Sequence, residues 1–246
     1  MDAQLPRTID DLLARFPKSR PPLSPAMQAV WTDTYKDNRE GEGAVAKLSA
    51  RLESWMHRRV AAREGEPILE IGAGTLNHVR YEPAGAAYDI VEPEAAFYEG
   101  KAEFAAVRNR YRNISEIGAE ERYERIITIA ALEHLTDLPA CLAHAGLRLA
   151  DGGVLQAGIP SESGFLWGFA WRSTTALAFR LRTGLDWGEH MRHEHINTAP
   201  EIIALIEHFF GRVKLARFPL PFHHLSLYCY IEAADPRLER CRSYLD

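Results

Sequence analysis

Apolar residues follow two different spacings along this chain. Before residue 65 they recur at helical intervals: Ile9 to Phe16 forms a short amphipathic piece, and Val45, Leu48, Leu52, Trp55, Met56 and Val60 make an i, i+3, i+4 stripe over 44–63. Pro21, Pro22 and Pro25 separate the two pieces, and no strand-like run appears. Residues 1–64 therefore read as a helical cover packed on a core built elsewhere.

From residue 67 the apolar runs shorten and become β-branched or bounded by Gly and Pro. Residues 67–71, 87–91, 105–111, 125–130 and 153–159 are predicted strands, with helical stretches near 94–104 and 135–149. Strands alternating with helices imply right-handed crossovers and a mostly parallel sheet. Residues 213–218 and 225–231 are separated by only a Pro-containing turn, too short for a helical crossover, so these two strands should be antiparallel. Between residues 161 and 197 lies a stretch rich in aromatics, arginines and histidines, which reads as an insertion covering a substrate. No internal repeat is visible.

With 246 residues, 46% of them hydrophobic and 26% charged, the chain can bury a sizeable core, which excludes disorder. The formal charge of -5 argues against a nucleic-acid partner held by phosphate neutralisation. Cys141, Cys229 and Cys241 have no CxxC spacing, so neither a disulfide framework nor a zinc knuckle is expected. The first residues lack the layout of a secretory signal, and no stretch of about 18 apolar residues offers a span. A cytoplasmic protein with no membrane contact is the expectation.

The sharpest chemical signal is the run Ile68 to Asn77 (ILEIGAGTLN), an apolar strand entering a glycine-rich turn. Glycine there lets the backbone approach a ligand, and a following helix would aim its N–H groups at it. Glu92 ends the next predicted strand, placed to accept hydrogen bonds from both hydroxyls of a ribose. A dinucleotide fingerprint GxGxxG would need glycine where Asn77 stands, which counts against NAD or FAD and a nucleotide-dependent oxidoreductase.

These residues resemble the class I S-adenosylmethionine-dependent methyltransferases, in particular the broad small-molecule group of methyltransferase type 11. The likeness runs through Glu70-Ile71-Gly72-Ala73-Gly74, the acid Glu92, the Leu132-Glu133-His134 ending of the fourth strand, and Gly152-Gly153 before the fifth. His193-Glu194-His195-Ile196-Asn197 is similar to the HEHxN segment of many members. The resemblance implies a Rossmann-like α/β fold with a seven-stranded, mostly parallel sheet and an antiparallel last strand. It also implies a domain over residues 65–246 with a lid at about 161–197. S-adenosylmethionine would be the cofactor and S-adenosylhomocysteine the product. Glu70 would orient the turn or reach the methionine amine, the turn from Ile71 to Gly74 would line the methionine half, Glu92 would hold the ribose, Asn113 and Ile114 would border the adenine, and Asn77 and Ala131 would be further cofactor contacts. Two departures stand out: no aspartate near Asn113 to accept from the adenine amine, and Leu76 in place of a third glycine.

On this reading the activity is methyl transfer to an oxygen, nitrogen or carbon of a small molecule, in secondary-metabolite or glycan biosynthesis. The rival is a catalytically silent, cofactor-binding partner subunit. His134 belongs to the cofactor side or acts as a base, and His193 or His195 serves the acceptor. His190, His193 and His195 could also be a polar loop; a helix would set 193 and 195 about 200° apart, so no metal is expected. Trp31, Tyr35, Trp167, Trp171 and Arg192 are the candidate substrate contacts, the tryptophans being equally able to complete a core. A homodimer is compatible with all of this.

Overall fold

The computed structural model describes residues 6, 8–30 and 44–246. Seven strands form one sheet: β1 (Ile68–Ile71), β2 (Tyr88–Val91), β3 (Val107–Tyr111), β4 (Tyr123–Ile129), β5 (Leu149–Pro160), β6 (Phe210–Pro219) and β7 (Ser226–Pro236). Their order is β3-β2-β1-β4-β5-β7-β6, with β7 alone running against its neighbours. All seven strands expected from the apolar runs are present. The chain order reverses between β1 and β4, whose C-terminal ends are level: Ile71 pairs with Val91 on β2 and with Thr128 on β4.

The helices are α1 (Ile9–Leu13), α2 (Ala44–Ala61), α3 (Leu138–Arg148), α4 (Phe165–Trp171), α5 (Leu177–Thr183), α6 (Trp187–Glu194), α7 (Ala199–Phe209) and α8 (Leu238–Leu245). A π-helical turn, Arg172–Ala176, joins α4 to α5. α7 opens with a reciprocal capping box between Thr198 and Glu201, with Pro200 in its first turn. One face of the sheet is covered by apolar residues of α3, α7 and α8, including Leu142, Leu205, Phe209 and Cys241. Burying such side chains stabilises the fold by roughly 1.5–3 kcal/mol each.

The other face departs from expectation. No α-helix follows the glycine turn or occupies 94–104; short 3₁₀ turns at Val79–Tyr81, Ala95–Phe97 and Ala102–Ala106 stand there instead. α2 takes that side of the sheet instead. Val60 of α2 joins Ile68, Tyr88, Ile90 and Ile127 in a second apolar cluster, and Trp55 stacks on Phe218 at 5.4 Å. A Cβ on Gly158 would stand 2.8 Å from the Met56 Cβ, so glycine is what allows α2 to lie this close to β5.

Buried polar groups tie α2 down. Arg125, 1% exposed, donates to both oxygens of Glu82, to Gln156 Oε1 and to the Val60 carbonyl. Glu82 also accepts from His78, whose other ring nitrogen meets His57 of α2 at 3.0 Å. Burial alone would raise the Glu82 pKa, but the bonds from His78 and Arg125 outweigh it and hold the carboxyl at about 2. Burial beside His78 and Arg80 pushes His57 down to about 3, so it stays neutral.

Candidate active site

The glycine turn closes directly onto the end of β4. Gly72 (φ +72°) and Gly74 (φ +50°) adopt left-handed conformations, and a Cβ on Gly72 would lie 2.4 Å from the Ala131 Cβ. Two non-glycine residues of the same region, Leu76 (φ +62°) and Ala130 (φ +50°), also hold positive φ, a strain that costs roughly 1–3 kcal/mol and clusters at functional sites. Leu76, which stands in place of a third glycine, is fully buried in the cluster beneath the turn. The cleft at this switch between β1 and β4 is where open α/β sheets bind ligands.

Glu92 stands at its rim. One carboxylate oxygen accepts from the Gly74 amide at 2.8 Å, and the other from the Glu94 amide at 3.0 Å. Each oxygen keeps a lone pair for a hydroxyl donor. Glu70 instead turns into the α2 side of the sheet, accepting from the Tyr88 hydroxyl at 2.8 Å, and burial pushes its pKa up to about 7. Asn77 lies on the surface. The Asn113 Oδ1 is used in capping, accepting from the amide and hydroxyl of Ser115, while Ile114 is buried in the core.

A second group of polar residues gathers past the ends of β4 and β5. The His195 Nδ1–H donates to Glu162 Oε1 at 2.5 Å, leaving Nε2 free to accept a proton. The His195 ring meets His134 edge-on at 4.8 Å. His134 donates from Nδ1 to the Glu194 carbonyl at 2.9 Å, and the Trp167 indole N–H donates to the same Glu162 oxygen. Burial works against a charged His195, but Glu162, with Glu133 and Glu194 nearby, outweighs it and raises the pKa. The buried Glu133 carboxyl, raised by desolvation, approaches His134 Nε2 at 3.9 Å with one oxygen and has no hydrogen bond at the other among the described residues. Glu53 of α2 also has a raised pKa, from desolvation and then from the nearby Glu133 carboxyl, which places it on the Glu133 side of α2.

The predicted site residues thus separate. His195, His134 and Trp167 come together, with Tyr228 edge-on to Trp167 at 5.8 Å. His193 points the other way, donating to the Pro21 carbonyl at 2.7 Å. Trp171 packs in a satellite core with Met27, Phe179 and Trp187. Arg192 is exposed, 3.7 Å from Asp186, on the side of α6 away from His190 and Glu194. Trp31 and Tyr35 lie outside the described residues. The N-terminal stretch of chain ahead of them straps over the site: Lys18 donates to the Ile196 carbonyl, and Arg20 to the His134 carbonyl and the Glu194 carboxylate.

Glu162, Glu133, Glu194, Glu53 and Tyr228 are absent from the sequence-based candidates. Glu162 and Glu133 carry a signal, each being the first acid past the end of a predicted strand, and Glu194 carries one through its place in the HEHIN segment. Glu53 sits among surface-type residues of α2, and only the packing of that helix brings it to the site.

No family model matches the chain, and no curated protein matches it. Solved structures do. A Thermotoga maritima SAM-dependent methyltransferase, described as a possible histamine N-methyltransferase, superposes with a TM-score of 0.57 at 14% identity, covering 85% of this chain and 97% of that one. An O-methyltransferase family protein from Burkholderia thailandensis gives 0.54 at 13% identity, covering 92% and 68%. A plantazolicin methyltransferase, in complex with a triazolic substrate analogue and S-adenosylhomocysteine, gives 0.53 at 10%, covering 84% and 92%. At these identities the likeness is one of architecture: the chain has the Rossmann-like fold of the class I S-adenosylmethionine-dependent methyltransferases.

Proposed function

We propose that the protein binds S-adenosylmethionine in the cleft between β1 and β4 and transfers its methyl group to an oxygen, nitrogen or carbon of a small molecule. The observation that carries this reading is the engagement of Glu92 with the Gly74 amide at the switch point. It sets a carboxylate with spare lone pairs beside a left-handed glycine turn that no larger residue could make against Ala131. When bound, the cofactor supplies a methyl carbon made electrophilic by its sulfonium.

The chain's own residues then have limited tasks. Glu92 accepts the ribose hydroxyls. The backbone from Ile71 to Gly74, together with Ala131, lines the methionine half; Ile114 and the free amide of Asn113 border the adenine. His195 takes the acceptor's proton at Nε2, Glu162 stabilises the resulting imidazolium, and Trp167 and Tyr228 wall the acceptor in. Holding the acceptor in line is the larger part of the rate, and a positioned base adds about 10²–10⁴. Residues 1–64 and the lid at 161–197 act as covers over the domain formed by 65–246. The fold neighbours' names range from a possible histamine N-methyltransferase to a plantazolicin methyltransferase, so the acceptor atom is left open. A role in secondary-metabolite or glycan biosynthesis suits a lid this rich in aromatics.

Titration calorimetry with S-adenosylmethionine, S-adenosylhomocysteine and NADH tests the reading. Micromolar binding of the first two is expected. Heat with NADH alone would overturn it.

A further inference from the structure

The lid has an outward face that the reaction does not use. Of the nine large hydrophobic side chains exposed among the described residues, all but Leu215 and Leu238 belong to the lid helices or to the turn that joins β6 to β7 beside them. Phe165 is 68% exposed, Phe169 59%, Leu177 52% and Leu181 80%. In an uninterrupted α-helix, at about 100° per residue, Leu177 and Leu181 would swing well away from the two phenylalanines. The π-helical turn Arg172–Ala176 inserts one residue's worth of rotation. It brings all four back within an arc of about 60°. Trp167, Trp171 and Phe179 then fall on the opposite, inward side, as their contacts with Glu162 and with Trp187 show.

The hairpin extends this surface. Ser163, just before α4, meets His223 at 3.3 Å, which sets Leu220, Phe222 and Leu225 next to Phe165. Charge is arranged around the apolar stripe. Residues 163–184 contain Arg172, Arg180 and Arg182 and no Asp, Glu or Lys, in a chain whose net charge is -5. On the same helical projection Arg172 and Arg180 flank one edge of the stripe, while Arg182 lies farther round, over the inward Phe179 ring at 5.9 Å. Arg172 lies over the Trp171 ring at 4.4 Å.

We propose that this face is a docking surface for an anionic lipid bilayer, on which the protein lies with Phe165, Phe169, Leu177 and Leu181 in the headgroup boundary. An apolar stripe of aromatic and leucine side chains with arginines along one edge and no acidic residue in the same helices is what an interfacial helix presents. A patch of this kind on an otherwise acidic chain is unexplained by solubility and matched by anionic headgroups. No helix among the described residues is long and apolar enough to cross a membrane, and a surface contact needs none. The expectation of no membrane contact rests on the lack of a span alone. Because α4 begins where Glu162 and Trp167 stand, a docked lid would open the acceptor side towards the lipid surface.

Co-sedimentation of the full chain tests this, with vesicles of phosphatidylcholine alone and of phosphatidylcholine mixed with phosphatidylglycerol. Binding to the mixed vesicles, lost at high salt, is expected. Arg172→Gln with Arg180→Gln should weaken it by about 25-fold, at about fivefold per arginine. Phe169→Ser and Leu181→Ser should each weaken it by about tenfold or more, with unchanged circular dichroism and melting, since both side chains are exposed. Failure to bind the mixed vesicles, or equal binding to both kinds, overturns the proposal. So does a wild-type dimer in light scattering that Leu181→Ser converts to monomer while vesicles stay unbound, which would assign the face to a second copy. The outcome is independent of the calorimetry above, which needs no vesicle.

Discussion

Ala131 stands so close over Gly72 that a Cβ on the glycine would be 2.4 Å from its own. This contact joins the two turns that form the cleft, and it explains why a glycine is required twice over, for space and for a φ of +72°. Gly72→Ala should cost about 2–4 kcal/mol, combining left-handed strain with overpacking. It should also remove cofactor binding, because either turn must move. A melting temperature within about 2 °C of wild type, with intact binding, would show that the turns yield freely.

Glu92→Ala removes two accepted amide bonds as well as the ribose acceptor. Binding of S-adenosylhomocysteine should weaken by about 1.5–3 kcal/mol, or roughly 10- to 150-fold, the scale of charge-assisted hydrogen bonds. Calorimetry reads this directly. Unchanged affinity would place the ribose contact on another residue.

Much of this arrangement is legible in the amino-acid sequence. The strands announce themselves through short β-branched runs, and Glu92 and Gly74 through their positions at strand ends. The crossover side is not legible, because propensity does not reveal that α2, from far upstream, takes the place of helices after β1 and β2. The same holds for Glu53 and for the partition of the lid histidines. His193 and His195 look equivalent in HEHIN, and only the helix end at Glu194 and the strap at Pro21 turn them apart. Glu70 is expected to orient the turn or reach the methionine amine, and strand alternation, which that expectation did not use, places its carboxyl on the α2 face with Tyr88.

That placement makes Glu70 a pH-sensitive element. Its pKa is raised by burial from 4.5 to about 7, so the native state holds a proton that the unfolded chain has lost. The stabilisation is fully present below pH 4.5 and declines as the pH rises through 7, by about 3 kcal/mol at most. Glu70→Gln keeps an acceptor for Tyr88 and carries no charge. Urea denaturation of the variant should therefore lose this decline, and a midpoint for wild type that stays level from pH 5 to 8 would contradict it.

Activity should persist in the presence of a chelator. A sulfonium donor needs no Lewis acid, and among the described residues no group of three or more metal-ligating side chains converges. His193 is committed to Pro21 and His195 to Glu162. Loss of turnover with EDTA, restored by a divalent ion, would assign these histidines to a metal after all.

The roles of the three histidines can be separated in the same protein. His195 is held by Glu162 with its Nε2 free, while His134 spends Nδ1 on the Glu194 carbonyl and lies edge-on beside it. If His195 is the base, it works only when neutral, and Glu162 keeps its pKa above 6.5. The acid limb of the kcat profile should then lie above pH 6.5 and move down in Glu162→Gln, which removes the charge that favours the imidazolium. His195→Ala should reduce kcat by about 10²–10⁴ with cofactor affinity unchanged. His193→Ala should affect stability alone, through the loss of its bond to Pro21, at about 1 kcal/mol. His134→Ala, which loosens the turn after β4, should weaken the cofactor and slow turnover together. Full activity in His195→Ala, with turnover lost in His134→Ala at normal cofactor affinity, would transfer the role of base to His134.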